Sequence, residues 1–408
     1  MDYFYFFIYR AQELLKVSGS LCYLTSNYFF TADGAKKLRE FIKQHFPIGQ
    51  VLDFTDTKVF KVKVHACIFT AHQNVRESNQ DLHVFDELAH VKSKLKFDEI
   101  FDFSDSMSLV TDEFASAILH KVHQHSKTIL GDLYEVKQGI VSGADRVGEA
   151  PCFVYKNHEL VNIPSALKPY VHPFYKNSAI KHFSYEPNTE YSILYLNREN
   201  ITELELKEQL DFVKSHLNPF KTHLQKRREV ENNVRHWYEL TWPRDESIFS
   251  AEKIVAPQRA RSNYFAYSKS AFYASADVYF MIPKSECNFE PKIMSLYLNS
   301  SIAKIYLYFK GKKKGKSLEL YSTPLKKIPI PQLTVEEMKS LKSILNFCTL
   351  GLDKMENTDS RTLISKTNAL LYEHYKLTCD EINWINEFER MFWWKSLLKR
   401  KRSGRKRF

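Results

Sequence analysis

The first hundred residues alternate between helical and extended spacing of apolar positions. Phe4, Phe7, Ile8, Ala11, Leu14 and Leu15 recur at three- and four-residue intervals and predict a helix over Asp2–Lys16, stopped at Ser18-Gly19. Ser20–Thr25 then reads as a short buried strand, Ala35–His45 as an amphipathic helix, and Gln50–Phe54 and Val64–Ala71 as further strands. Leu82–Phe85 and the acidic, helix-prone stretch on to Phe103 link onward, and Asp112–His125 predicts another helix. The order is that of an α/β sheet. A sheet that began at Ser20 would leave a long unpaired edge, so the pattern predicts an incomplete one.

From Leu130 the spacing becomes mixed. Short extended pieces at Cys152–Lys156, Tyr191–Leu196 and Lys253–Pro257 alternate with helical stretches, among them Leu204–Glu231, interrupted near Pro219. One apolar run (Ile293, Leu296, Tyr297, Ile302, Ile305, Tyr306) keeps helical spacing until a basic glycine loop made of Lys310, Gly311, Lys312, Lys313, Lys314, Gly315 and Lys316. A strand-like piece with Leu318, Leu320 and Tyr321 follows, and two prolines forbid helix in Ile328–Pro331. Thr334–Asn346 and Arg361–Lys376 read as closing helices. The expected domains are 1–115, 128–331, 332–394 and a tail, 395–408.

Composition changes this picture in three places. At 408 residues, 44% apolar and 26% charged, the chain has room for two or three globular domains. The net charge of +11 is local: Lys395–Phe408 holds eight Lys or Arg and no acid, leaving +3 on the remainder, so the tail is expected to order only against something anionic. Six scattered cysteines without a CxxC pair argue against a zinc ribbon or disulfide framework and for a reducing, cytoplasmic setting. Phe4–Ile8 is too short to span a membrane. His120, His123 and His125 lack further ligands nearby and read as a solvated helix end, so no metal is expected.

Five crowded lysines repel one another. A solvated loop and a polyanion site are both open on composition alone, but a DNA backbone would neutralise the loop with release of counterions. The order of a helix carrying Leu298-Asn299-Ser300, the lysine loop, a short strand and Ile-Pro-Ile-Pro resembles the target-recognition domain of gamma-type (Taq-type) N6-adenine DNA methyltransferases and fused restriction–modification enzymes. Gly139-Ile-Val-Ser142-Gly143-Ala-Asp145 is similar to the family's glycine loop that opens this domain. Lys168-Pro-Tyr170, Leu224–Arg228, Trp237–Arg244 and Lys253-Ile-Val-Ala-Pro257 follow in family order. Upstream, the helix Tyr3–Lys16, the Gly19–Asn27 strand, the Ala35–Phe41 helix, Val59-Phe60 and His65–Ile68 resemble the end of the catalytic domain.

The resemblance implies an incomplete Rossmann-like methyltransferase sheet, a mixed α+β recognition domain and C-terminal helices. It also implies methyl transfer from S-adenosylmethionine to adenine in double-stranded DNA. Two family elements are not in the sequence: a glycine-rich turn after a first strand and an Asn/Asp-Pro-Pro-Tyr/Phe tetrad. The donor site and the tetrad are therefore expected on an N-terminal polypeptide or upstream segment, with this chain binding DNA, holding no cofactor and not methylating alone. The resemblance makes Phe60 the aromatic that stacks on a flipped-out adenine; taken alone, Phe60 reads as a core residue beside a strand. It makes Gly139, Ser142, Gly143, Asp145, Arg244, Arg259, Arg261 and the five loop lysines DNA contacts, with arginine suited to guanine edges and lysine to phosphates. A free-standing DNA-binding specificity subunit and a gene fragment without function are the competing readings.

Overall fold

The computed structural model describes residues 2–54, 59–61, 65–73, 80–86, 88–101, 106–314, 317–346 and 357–390. Lys316 and the basic tail lie outside them. The chain divides into two units: 1–129 with 329–332 and 372–408, and 130–328 with 333–371. Both mix helices with sheets.

In the first unit, helix α1 (Phe4–Leu14) precedes β1 (Ser20–Ser26), and α2 (Lys36–His45) precedes β2 (Ile48–Asp53), β3 (Ala66–His72), β4 (Asp81–Phe85) and β5 (Val91–Lys96). The sheet order is β1-β3-β2-β4-β5, with β3 antiparallel between β1 and β2 and with β4 parallel to β2. Helix α1 buries Tyr5, Ile8 and Ala11, whereas Phe7 and Leu14, expected inside, are 65% and 69% exposed. Its apolar stripe is wider than the face the sheet covers. Arg39 of α2 is buried and donates to the carbonyls of Phe29 and Ala32 at 2.9 and 2.7 Å, which pins the β1–α2 connection.

The segment expected to be helical after Phe85 is instead the hairpin β4–β5. The Asp86 carboxylate accepts from the amides of Leu88 and His90, both at 2.9 Å, and turns the chain. Lys94 and Lys96, two residues apart, both reach Asp81 at 2.6 and 2.7 Å, a strand periodicity hidden under a charged composition. Helix α3 (Glu113–Gln124) starts at Asp112, whose side chain accepts from Ala115 N, and leads into Ser126–Ile129, paired with Pro329–Pro331. A helix over 379–390 joins this unit through Lys121–Glu381, 2.7 Å.

The second unit holds an antiparallel sheet in the order Ala266–Ser268, Lys253–Pro257, Val278–Pro283, Tyr134–Gln138. A second sheet orders Val154–Lys156, Tyr191–Leu194, Val171–Tyr175 and Tyr273–Ala274. A continuous apolar core, with Phe174, Ile193, Leu240, Phe249, Val255 and Phe280 fully buried, runs between them. The apolar run expected as one helix is two, Pro291–Leu298 and Ser301–Phe309. Asn299 makes the corner: its amide donates to the carbonyls of Phe265 and Ser295, both at 2.8 Å, and accepts from Phe265 N at 3.2 Å. Ser300 then caps the next helix at Ala303 N. Of the expected C-terminal helices, Val335–Leu345 belongs to the second unit, and Asn357–His374 belongs to it up to Leu371.

Candidate nucleic-acid interface

The glycine loop leaves the strand Tyr134–Gln138 at Gly139, where backbone crowds backbone: a Cβ there would lie 2.3 Å from the Ser275 carbonyl oxygen. Val141 and Trp242 exchange two backbone hydrogen bonds, of 3.0 and 2.9 Å, holding the loop against the second half of the unit. Gly143 takes φ +82°, and a Cβ on it would sit 2.0 Å from Thr241 Oγ1. Ser142 is buried and donates to Asp145 Oδ1 at 2.5 Å, while Lys176 donates to Asp145 Oδ2 at 2.8 Å. Both carboxylate oxygens of Asp145 are therefore engaged within the protein, and Ser142 shapes the loop from inside.

Arg244 also takes a positive φ, 70°. Its Nε donates to the Gly139 carbonyl at 3.1 Å and its Nη2 to Gln138 Oε1 at 3.3 Å. Partial burial pulls its pKa below the usual guanidinium value. Gln138 pairs with Tyr279 across the sheet, and the Tyr279 ring lies 6.1 Å from that of Tyr321, edge to face. Tyr321 accepts from Arg259 Nη2 at 2.8 Å, and Glu319 accepts from Arg259 Nε at 3.1 Å. A small sheet places Arg259 opposite Glu319 and Glu319 opposite Lys312, so the three share one cross-strand row. Side-chain contacts and strand pairing together thus connect the glycine loop, through Arg244, Gln138, Tyr279, Tyr321 and Arg259, to the lysine strand.

The expected site residues take different positions along this connection. Lys312 and Lys313 are exposed in the strand Lys312–Lys314, with the Lys313 ammonium 3.9 Å from the centre of the Tyr308 ring. Lys310 caps the preceding helix, and Lys314 pairs with Ser317 through the backbone. Arg261 is exposed in the next loop, whose shape Asn263 fixes by donating to the carbonyls of Leu298 and Ser300 at 2.7 and 2.9 Å. Phe60, in the first unit, is 40% exposed.

Two residues central to the loop's geometry carry no sequence signal. Arg227 donates to the carbonyls of Leu224, Ser142, Trp237 and Glu239 and to Thr241 Oγ1, at 2.8 to 3.3 Å. It sits in the charged run Gln225–Glu231, and nothing in that run's spacing says which arginine turns inward. Glu239 is fully buried and gathers Arg198 at 3.1 Å and Arg235 at 3.4 Å. Among the described residues no group of three His, Cys, Asp or Glu is placed to hold a metal, and no helix is long and apolar enough to cross a membrane.

Comparison with known proteins finds relatives for both parts of the chain. Residues 172–330 match the TaqI-like C-terminal specificity domain, and residues 1–60 match the Eco57I restriction-modification methylase family. The chain is 25% identical to the type II methyltransferase M.HindII of Haemophilus influenzae over 91% of its own length and 74% of that protein's. To M.HincII, also of Haemophilus influenzae, it is 25% identical over 91% of its length and 73% of the relative's. The type IIL restriction–modification enzyme MmeI, solved in complex with DNA, shares its fold at a TM-score of 0.53 with 13% identity; the match covers 94% of this chain and 51% of MmeI. Residues 172–330 are thus similar to a TaqI-like specificity domain, and the chain as a whole is similar to type II methyltransferases. It spans about three quarters of these curated relatives and half of the MmeI chain.

Proposed function

We propose that this chain recognises the DNA target of a site-specific N6-adenine methyltransferase of a restriction–modification system and presents the adenine for methylation. The observation that carries the proposal is the row of side-chain contacts and paired strands from the glycine loop to the lysine strand, which gathers arginine, tyrosine and lysine on neighbouring elements. Lysines suit phosphates, and arginines suit base edges as well. The sheet order β1-β3-β2, with β3 antiparallel between its neighbours, supports reading the first unit as the closing part of a Rossmann-like methyltransferase sheet. Phe60, at the end of the methylase match and partly exposed, is the aromatic proposed to stack on the extruded adenine.

S-adenosylmethionine supplies the methyl group in the complete enzyme. No step is assigned to it within these residues, and an N-terminal polypeptide or segment is proposed to bind it. The test pairs two assays on the purified chain. Duplex binding is expected, and transfer of labelled methyl from the donor to DNA is expected only when that partner is added. Transfer by the chain alone would overturn the division of labour.

A further inference from the structure

We infer that Arg259 is a preset reader of a guanine edge and that Glu319 and Tyr321 are the positioning residues that set it; this rests on the DNA-recognition reading above. A guanidinium presents four of its five hydrogens as two forks, one from Nε with the inner Nη2 hydrogen and one from the outer hydrogens of Nη1 and Nη2. The first fork is occupied: Nε donates to Glu319 Oε1 at 3.1 Å and Nη2 to the Tyr321 hydroxyl at 2.8 Å. The outer fork has no partner among the described residues, and the side chain is 45% exposed. Strand pairing fixes the Arg259 and Glu319 backbones opposite one another, and the Tyr321 ring lies 5.9 Å from the guanidinium carbon. The plane of the group is set before any ligand arrives.

An outer fork fits two kinds of acceptor pair, the oxygens of a phosphate and O6 with N7 of guanine. Glu319 decides between them. A carboxylate against the guanidinium cancels much of its pull on a second anion, whereas the neutral guanine acceptors escape that repulsion. Fixing the plane also adds little at a phosphate, which accepts from many directions, and much at a base edge, where both bonds must form together. Lys312, opposite Glu319 on the neighbouring strand, is left to meet phosphate.

The test selects preferred duplexes from a random library with the full chain and repeats the selection with Arg259→Ala, Arg259→Lys, Glu319→Gln and Tyr321→Phe. The wild-type chain is expected to select a site with one G·C pair whose preference Arg259→Ala and Arg259→Lys abolish, a change of about ten-fold or more. Glu319→Gln and Tyr321→Phe relax that same position several-fold and leave the others unchanged, and Tyr321→Phe, which keeps the charge balance, also leaves the salt dependence of binding unchanged, which a merely structural role would not do. Placing 7-deazaguanine at that position lowers wild-type affinity and leaves the Arg259→Ala affinity unaltered. If the chain selects a site but Arg259→Ala keeps every base preference and only flattens the salt dependence, Arg259 is a phosphate contact and the inference falls alone. Unselective binding also overturns it. Failure of the wild-type chain to bind any duplex overturns both this inference and the DNA-recognition reading.

Discussion

The carbonyl of Gly139 accepts a hydrogen bond from Arg244 Nε at 3.1 Å, tying the first residue of the glycine loop to an arginine 105 positions downstream. Arg244 is one of seven non-glycine residues with positive φ among the described residues, so the contact is made from a backbone conformation that costs energy. Arg244 therefore anchors the start of the glycine loop, while Arg227 reaches the Ser142 carbonyl within it.

The glycine loop tolerates no side chain at its two tight positions. Gly143→Ala must give up φ +82° or displace Thr241, and Gly139→Ala would drive a methyl into the Ser275 carbonyl. Each is expected to cost about 2 kcal/mol or more in a urea titration and to weaken duplex binding in parallel. A stability loss below a few tenths of a kcal/mol would show that the loop is not held as described.

Arg227 is expected to matter more for stability than any arginine on the surface. Arg227→Met removes one side-chain donor from four carbonyls and Thr241 Oγ1, of which the Ser142 and Leu224 carbonyls keep a backbone donor. The cost should be about 3 kcal/mol or more, with little recovered by Arg227→Lys, because an ammonium cannot span all five acceptors. Denaturant midpoints of the three proteins measure it, and equal midpoints for wild type and Arg227→Met would contradict it.

Lys253 makes stability depend on pH in one direction. It is fully buried, donates to the carbonyls of Ala251 and Ser270 at 2.6 and 2.8 Å, and burial pushes its pKa down to about 8. The folded value lies below the unfolded one, so the cost of burying the charge is fully present below pH 8 and is relieved as pH rises toward the unfolded value near 10. The neutral amine still has two hydrogens for the two carbonyls. Relative to Lys253→Met, wild-type stability should rise by roughly 2–3 kcal/mol between about pH 7.5 and 10. Parallel pH profiles for the two proteins would rule this out.

The lysine strand should act on every sequence alike. Lys312→Ala is expected to reduce the slope of log affinity against log salt by about one and to weaken selected and unselected duplexes equally. A variant that shifts base preference while keeping the slope would place Lys312 at a base edge instead.

Much of the first unit was legible because its elements are short and strongly periodic: α1, β1, α2, β2 and β3 lie within two residues of their expected bounds. The hairpin β4–β5 was not, because Val91–Lys96 alternates lysines on a strand and so resembles a charged helix in composition. The corner at Asn299 was hidden inside unbroken helical spacing, since a single asparagine made it through tertiary hydrogen bonds to Phe265. In the candidate site, the glycine loop was readable from residue type, but the lysines expected in a loop form a strand over Lys312–Lys314. The roles of Arg227, Glu239, Glu319 and Tyr321 were not readable, because each depends on which strand lies opposite, and Arg259 meets its partner 60 residues away.

The most direct measurement is the fluorescence anisotropy of a labelled duplex carrying the selected site, titrated with the purified chain near physiological salt. The account predicts tight, sequence-selective binding by the wild-type chain and its loss in the Arg259→Ala/Arg261→Ala/Lys312→Ala variant, whose exposed substitutions leave thermal stability intact. Equal affinity of the two proteins for that duplex would contradict it.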